Sequence, residues 1–214
     1  MDHAEQIRFI EDSGIVAVVR LDSSEALTRV AQAIMEGGVR AVEFTMTTPN
    51  ALRTIEASAD KFGDSILLGA GTVLDPETAR AAILAGAQFI VAPTLNRKVI
   101  EVCRRYSKVA IPGAYTPTEI LNAWEWGADF VKVFPAEIAG PAYLRAIRAP
   151  LPNVKLIPVG GVALETVSDF IKAGASAVAV GSHLVDKRLV AQGRFDLLTE
   201  NARKWTEAVR QART

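Results

Sequence analysis

Lys132 lies in FVKVFPAE, residues 130–137, between two valines and two phenylalanines. An ammonium held in such an apolar strand loses hydration, so its pKa falls toward neutrality. The neutral amine adds to a ketone and, with loss of water, gives a Schiff base. The iminium draws electrons, and a C–C bond β to the former carbonyl can break to leave an enamine. That sequence needs a carboxylate to carry protons, directly or through a water. Glu43, in the apolar run AVEFTM (41–46), is the candidate. Alone, Lys132 and Glu43 fit an ordinary buried ion pair better than a site. The elements that carry them must decide.

Eight apolar runs of strand length punctuate the chain: IVAVVR (15–20), AVEFTM (41–46), LLGAGT (67–72), FIVAP (89–93), VAIPGA (109–114), FVKVFPA (130–136), KLIPVGG (155–161) and AVAVGS (177–182). Helical patterns separate them, and Ser23, Asp75-Pro76 and Thr116-Pro117 stand as helix-start signals. The phrases EGGVRAVEF, LAGAQFIVA, EWGADFVKV and KAGASAVAV repeat one design, a helix ending at glycine and running into a strand. Such alternation predicts parallel βαβ units. Eight near-even repeats predict an α/β chain closed as a (β/α)₈ TIM barrel in one domain, 1–214. An open doubly wound sheet is the alternative. An extra N-terminal helix is expected over 1–13 and the last helix over 195–211.

Side chains alternate between barrel interior and helix layer. On the sixth run Phe130, Lys132 and Phe134 share a face, and Val131 and Val133 the other. The polar parity of the other runs holds Val16, Val18 and Arg20, then Ala41, Glu43 and Thr45, then Leu68, Ala70 and Thr72. Placed inward, Arg20, Glu43, Thr45, Thr72 and Lys132 converge at the C-terminal mouth, where barrels carry chemistry. Glycines after the seventh and eighth runs, Gly160, Gly161 and Gly181 with Ser182, suit a phosphate held by backbone N–H groups. His183 is read as a surface or capping residue.

Composition narrows the partners. Lys+Arg and Asp+Glu both number 24, so zero formal charge gives no reason to expect nucleic acid or an anionic membrane. Cys103 is the only cysteine and His3 and His183 the only histidines, which argues against disulfides and against a zinc or iron site. The acidic, amphipathic start lacks the build of a signal peptide, and no apolar run reaches the about 20 residues of a membrane span. The expectation is a soluble, cytoplasmic protein.

The runs IVAVVR, EGGVRAVEFTMTTP, LLGAGTVLDPE, GAQFIVAP, IPGAYTPTEI, FVKVFPAE, GPAYLRAIRAPLPNVKLIPVGGV and AVAVGS resemble the 2-keto-3-deoxy-6-phosphogluconate (KDPG) / 4-hydroxy-2-oxoglutarate (KHG) aldolase family, over about residues 14–185. The resemblance implies a class I aldolase without cofactor or metal, a homotrimer of (β/α)₈ barrels. Its substrate would be a phosphorylated keto-deoxy acid, its products pyruvate and glyceraldehyde 3-phosphate. It implies that Lys132 is the Schiff-base lysine, Glu43 the acid/base, Thr72 a pyruvate-carboxylate contact, Phe134 pocket wall beside the lysine, Pro93 the substrate-binding proline at the end of the fourth strand, and Gly160, Gly161 and Ser182 the phosphate cradle. Where some members carry an arginine four residues after the glutamate, this chain has Thr47, and Arg20 stands as the substitute cation. Ala92-Pro93-Thr94 replaces a common Ser-Pro-Gly, which leaves the choice between gluco and galacto epimers open. Rival readings are another phosphate-binding barrel, such as a pentulose-phosphate epimerase or thiamin-phosphate synthase, and a silent metabolite-binding barrel.

Overall fold

Helix α1 (His3–Ser13) opens the chain on an Asp2/Glu5 capping box and ends at Gly14, whose left-handed φ of 66° closes the turn. Strands β1 (Ile15–Val19), β2 (Ala41–Thr45), β3 (Leu67–Gly71) and β4 (Phe89–Val91) then alternate with helices α2 (Leu27–Glu36), α3 (Ala51–Phe62), α4 (Pro76–Leu84) and α5 (Arg97–Arg105). The second half runs β5 (Val109–Ile111), β6 (Gly113–Ala114), α6 (Pro117–Glu125), β7 (Val131–Val133), α7 (Gly140–Arg148), β8 (Leu156–Pro158), α8 (Val167–Lys172), β9 (Val178–Val180), α9 (Lys187–Ala191) and α10 (Phe195–Arg213). This computed structural model describes residues 1–214.

All strand pairs are parallel, in two sheets ordered β5-β4-β3-β2-β1-β9 and β6-β7-β8. The fifth predicted run is split at Pro112, which has no N–H to give to a ladder. Its first half pairs with β4 and its second with β7, while the Pro112 carbonyl accepts the Lys132 amide at 2.9 Å. A single bridge, Val159 to Ala179, links the end of β8 to β9. The fold is thus an α/β architecture built on parallel strands.

Two apolar layers result. One lies between strands and helices and holds Val42, Phe44, Leu68, Ala70, Val131 and Val133. The other lies on the opposite strand face and holds Val16, Ala41, Leu67, Phe89, Phe130 and Ile157, with Ile10 of α1 packed into it. The repeated helix–glycine–strand turn is present at Gly38, Gly86, Gly127 and Gly174, each with φ between 90° and 109°. Asp75 and Thr116 cap α4 and α6 as expected. Ser23 does not cap α2, which starts four residues later; its hydroxyl accepts the Glu25 amide instead.

Candidate active site

Lys132 is the middle residue of β7, flanked across the ladders by Gly113 and Ile157. Val131 and Val133 on either side pack toward the helices, so strand alternation turns Lys132 the other way, and it is 7% exposed. The ammonium lies 4.9 Å from the centre of the Phe134 ring, itself 39% exposed on the rim. Phe130, fully buried, is the apolar floor on the same face. Glu43 is the middle residue of β2, between Val18 and Gly69. It is 1% exposed, and its Oε2 has no hydrogen-bond partner. A Cβ on Gly71 would come within 2.3 Å of Glu43 Oε1, so only glycine leaves that carboxyl its place.

Burial drives both groups toward neutrality. It raises the Glu43 carboxyl above the usual carboxylate range, against the opposing pull of Lys132 and Arg20. It lowers the Lys132 amine below the usual lysine range, Glu43 opposing and Arg20 adding to the effect. The two side chains share a space of about 10 Å³ with Val16, Val91 and Ile111, close to the lower limit for one water.

Above them opens a cleft of about 530 Å³ at the C-terminal ends of the strands. Lys132 and eight other predicted residues line it together: Arg20, Thr72, Pro93, Phe134, Gly160, Gly161, Gly181 and Ser182. Glu43 sits beneath, reached through the small space it shares with Lys132. Gly160 and Gly161 have φ of 94° and 68°, a turn that side chains rarely adopt. Arg20 reaches Thr72, with Nη2 to Oγ1 at 3.5 Å.

Two expectations need correction. On the third strand Leu67 joins the inner layer and Leu68 and Ala70 the helix layer, so the inward parity is that of Leu67, Gly69 and Gly71. Gly69 and Gly71 take that face because Phe89 and Glu43 fill the space their side chains would need. Thr72 still reaches the cleft, because the strand ends at Gly71 and Thr72 turns with φ of 60°. Thr45 faces inward but stays out of the cleft: its hydroxyl bonds Thr47 at 3.1 Å and Thr48 at 3.4 Å.

The cleft also holds residues that the motif reading passed over. Val18, Val159 and Ala179 lie on its walls, and inward parity alone would have found Val18. Glu137 borders Gly161, and a Cβ there would lie 2.7 Å from Glu137 Oε2. His183 lines the cleft with Nδ1 2.9 Å from the Val162 carbonyl, linking the two glycine loops. Lys187 lines it from the start of α9 and had no sequence signal beyond its place after the eighth strand. No group of three His, Cys, Asp or Glu side chains is placed to hold a metal ion. No helix is long and apolar enough to cross a membrane.

A desolvated amine beside a buried carboxyl, at the ends of parallel strands, defines an α/β protein equipped for carbonyl chemistry. The sequence model of the KDPG and KHG aldolases matches residues 7–200, and the chain belongs to that family. It is 38% identical over 172 residues to the 2-dehydro-3-deoxy-6-phosphogalactonate aldolase of Escherichia coli K12, covering 79% of this chain and 83% of that protein. The KDPG aldolase of Legionella pneumophila, solved with pyruvate captured at low pH as a covalent carbinolamine intermediate, superposes with a TM-score of 0.86. It is 28% identical over 92% of this chain and 96% of its own. A cube-shaped, porous cage designed by fusing symmetric oligomeric domains matches with a TM-score of 0.85 and 33% identity, over 93% of this chain and 73% of that one.

Proposed function

We propose that this chain is a class I aldolase that reversibly cleaves KDPG to pyruvate and glyceraldehyde 3-phosphate, and 4-hydroxy-2-oxoglutarate to pyruvate and glyoxylate. The observation that carries the proposal is Lys132, 7% exposed in the strand layer with its amine pushed toward neutrality by burial and a buried carboxyl behind it. The neutral amine adds to the C2 carbonyl, and loss of water leaves an iminium. A base removes the proton of the C4 hydroxyl, the C3–C4 bond breaks, and the aldehyde departs. The bonding pair passes into the iminium to give an enamine. Protonation at C3 restores an iminium, and water then releases pyruvate and the free amine. Glu43 is that base in its carboxylate form, and because burial favours its protonated form it returns the proton at C3. No cofactor enters any step.

Arg20 and Thr72 receive the pyruvate carboxylate, Pro93 and Phe134 form the wall, and Gly160, Gly161, Gly181 and Ser182 receive the phosphate. A galacto-configured substrate is the second reading. It is favoured by the 38% identity to the E. coli phosphogalactonate enzyme. Comparing cleavage rates for the two epimers separates the readings.

The finer architecture belongs to the same proposal. The Val159–Ala179 bridge and the handover of pairing at Pro112 support one closed (β/α)₈ barrel, with α1 as an extra helix under its floor and residues 1–214 as a single domain. Family membership and the oligomeric cage domain support a homotrimer. A cytoplasmic place in sugar-acid breakdown of the Entner–Doudoroff type follows from the substrate. Borohydride added with pyruvate is expected to fix a reduced pyruvyl group on Lys132, seen by mass spectrometry. An unmodified Lys132 under those conditions overturns the mechanism.

A further inference from the structure

Lys187 is the first residue of α9, set by the N-cap Asp186, whose Oδ1 accepts the Arg188 amide at 2.8 Å. Its ammonium bonds Asp22 Oδ1 at 2.8 Å, so the pair spans the mouth from the loop after β1 to the loop after β9. The lysine side chain lines the same cleft as the glycine loops. Those loops offer an anion backbone amides and the Ser182 hydroxyl, and hold no lysine or arginine; His183 between them has Nδ1 on the Val162 carbonyl at 2.9 Å. Arg20 is turned to Thr72 at the other end, and the Lys132 amine lies below. Glu137 adds negative charge beside Gly161, where a Cβ would lie 2.7 Å from its Oε2. Among the lysines and arginines of the cleft, Lys187 is therefore the one left to face a phosphate dianion in the cradle.

We propose that Lys187 is a specificity-determining residue that pairs with the phosphate of a phosphorylated keto acid, and that Asp22 holds it in reserve until the substrate enters. The inference rests on the phosphate-end reading above. The Asp22–Lys187 pair is exposed, at 90% and 49% of the side chains, and ion pairs of that kind hold little free energy. A dianion in a concave, amide-lined site is the stronger partner. Exchange of Asp22 for phosphate links substrate entry to a contact that unphosphorylated keto acids cannot make.

The test compares the wild type with Lys187→Met, Lys187→Arg and Asp22→Asn. For each, kcat and KM are measured with KDPG and with 4-hydroxy-2-oxoglutarate, alongside competition by inorganic phosphate. Lys187→Met is expected to lower the preference for KDPG about tenfold, mainly through KM, the size of one charge-assisted hydrogen bond. Lys187→Arg retains most of the preference. Asp22→Asn shifts it the other way, because the lysine loses its competing partner. A merely stabilising ion pair would move both partners' variants in the same direction, and that result overturns the proposal. So does an unchanged preference in Lys187→Met while phosphate still competes with the wild type. A wild type that neither prefers KDPG nor yields to phosphate overturns the phosphate-end reading itself, and this inference with it.

Discussion

Glu43 and Lys132 are each shifted toward the neutral form, and the shifts leave opposite signatures in stability. Glu43 is raised above its ordinary 4.5. Between that value and its folded pKa the native state binds more protons than the unfolded chain, so stability falls as pH rises through the window. Lys132 is lowered from its ordinary 10.5. Between its folded pKa and that value the unfolded chain binds more protons, so stability rises with pH there. We expect the urea midpoint of Glu43→Gln to gain on the wild type as pH climbs from 4.5, and that of Lys132→Met to lose its advantage as pH approaches 10.5. Parallel curves for variant and wild type would show that burial does not perturb these groups. Glu43→Gln should also slow proton exchange at the methyl of pyruvate far more than it weakens pyruvate binding. Gly71→Ala gives a steric counterpart: its methyl falls 2.3 Å from Glu43 Oε1. Activity is expected to drop steeply while the circular dichroism spectrum is kept.

At the scale of elements, the strands are short and their ends set the chemistry. Thr72 shows this best. A β-branched residue at φ of 60° is strained, yet only that turn carries its hydroxyl from the helix side of β3 to the cleft. Thr72→Gly should therefore cost no stability, or gain up to about 1 kcal/mol after the entropy penalty of glycine, while KM for pyruvate rises. A variant that loses both stability and affinity would place Thr72 in the packing rather than at the substrate. Helix caps behave more simply: Thr116→Ala removes the bond to the Glu119 amide and should cost about 1 kcal/mol in urea denaturation. Asp75 and Thr116 were legible because capping is local chemistry. The parity of β3 was not, because glycines at 69 and 71 carry no polarity signal and the reason for them lies in Phe89 and Glu43 on neighbouring strands. Lys187 was hidden for a related reason, since its role depends on a partner 165 residues away.

Across the whole molecule, the two ends of the chain are sewn together. Strands β1 and β9 pair in register from Ile15 with Val178 to Ala17 with Val180. Just outside that seam, Arg213 at the end of α10 donates to the carbonyls of Glu11 at 2.5 Å, Asp12 at 3.0 Å and Ser176 at 3.2 Å. The repeat of helix, glycine and strand made the parallel units readable in sequence, but nothing local announced that the last helix ties down the first. The inner layer reinforces the seam, drawing Ile10 from α1, Val16 from β1, Ile157 from β8 and Ala179 from β9 into one cluster. If residues 1–214 fold as one domain, loosening the seam lowers the stability of all units together. Arg213→Ala leaves three carbonyls without this donor and should lower the thermal midpoint by several degrees, on the scale of about 1–2 kcal/mol. The transition should stay single, with near-ultraviolet and far-ultraviolet circular dichroism melting together. A split transition, in which the β5-β4-β3-β2-β1-β9 sheet and the β6-β7-β8 sheet melt apart, would show that the two sheets unfold as separate units and that the closed barrel is wrong.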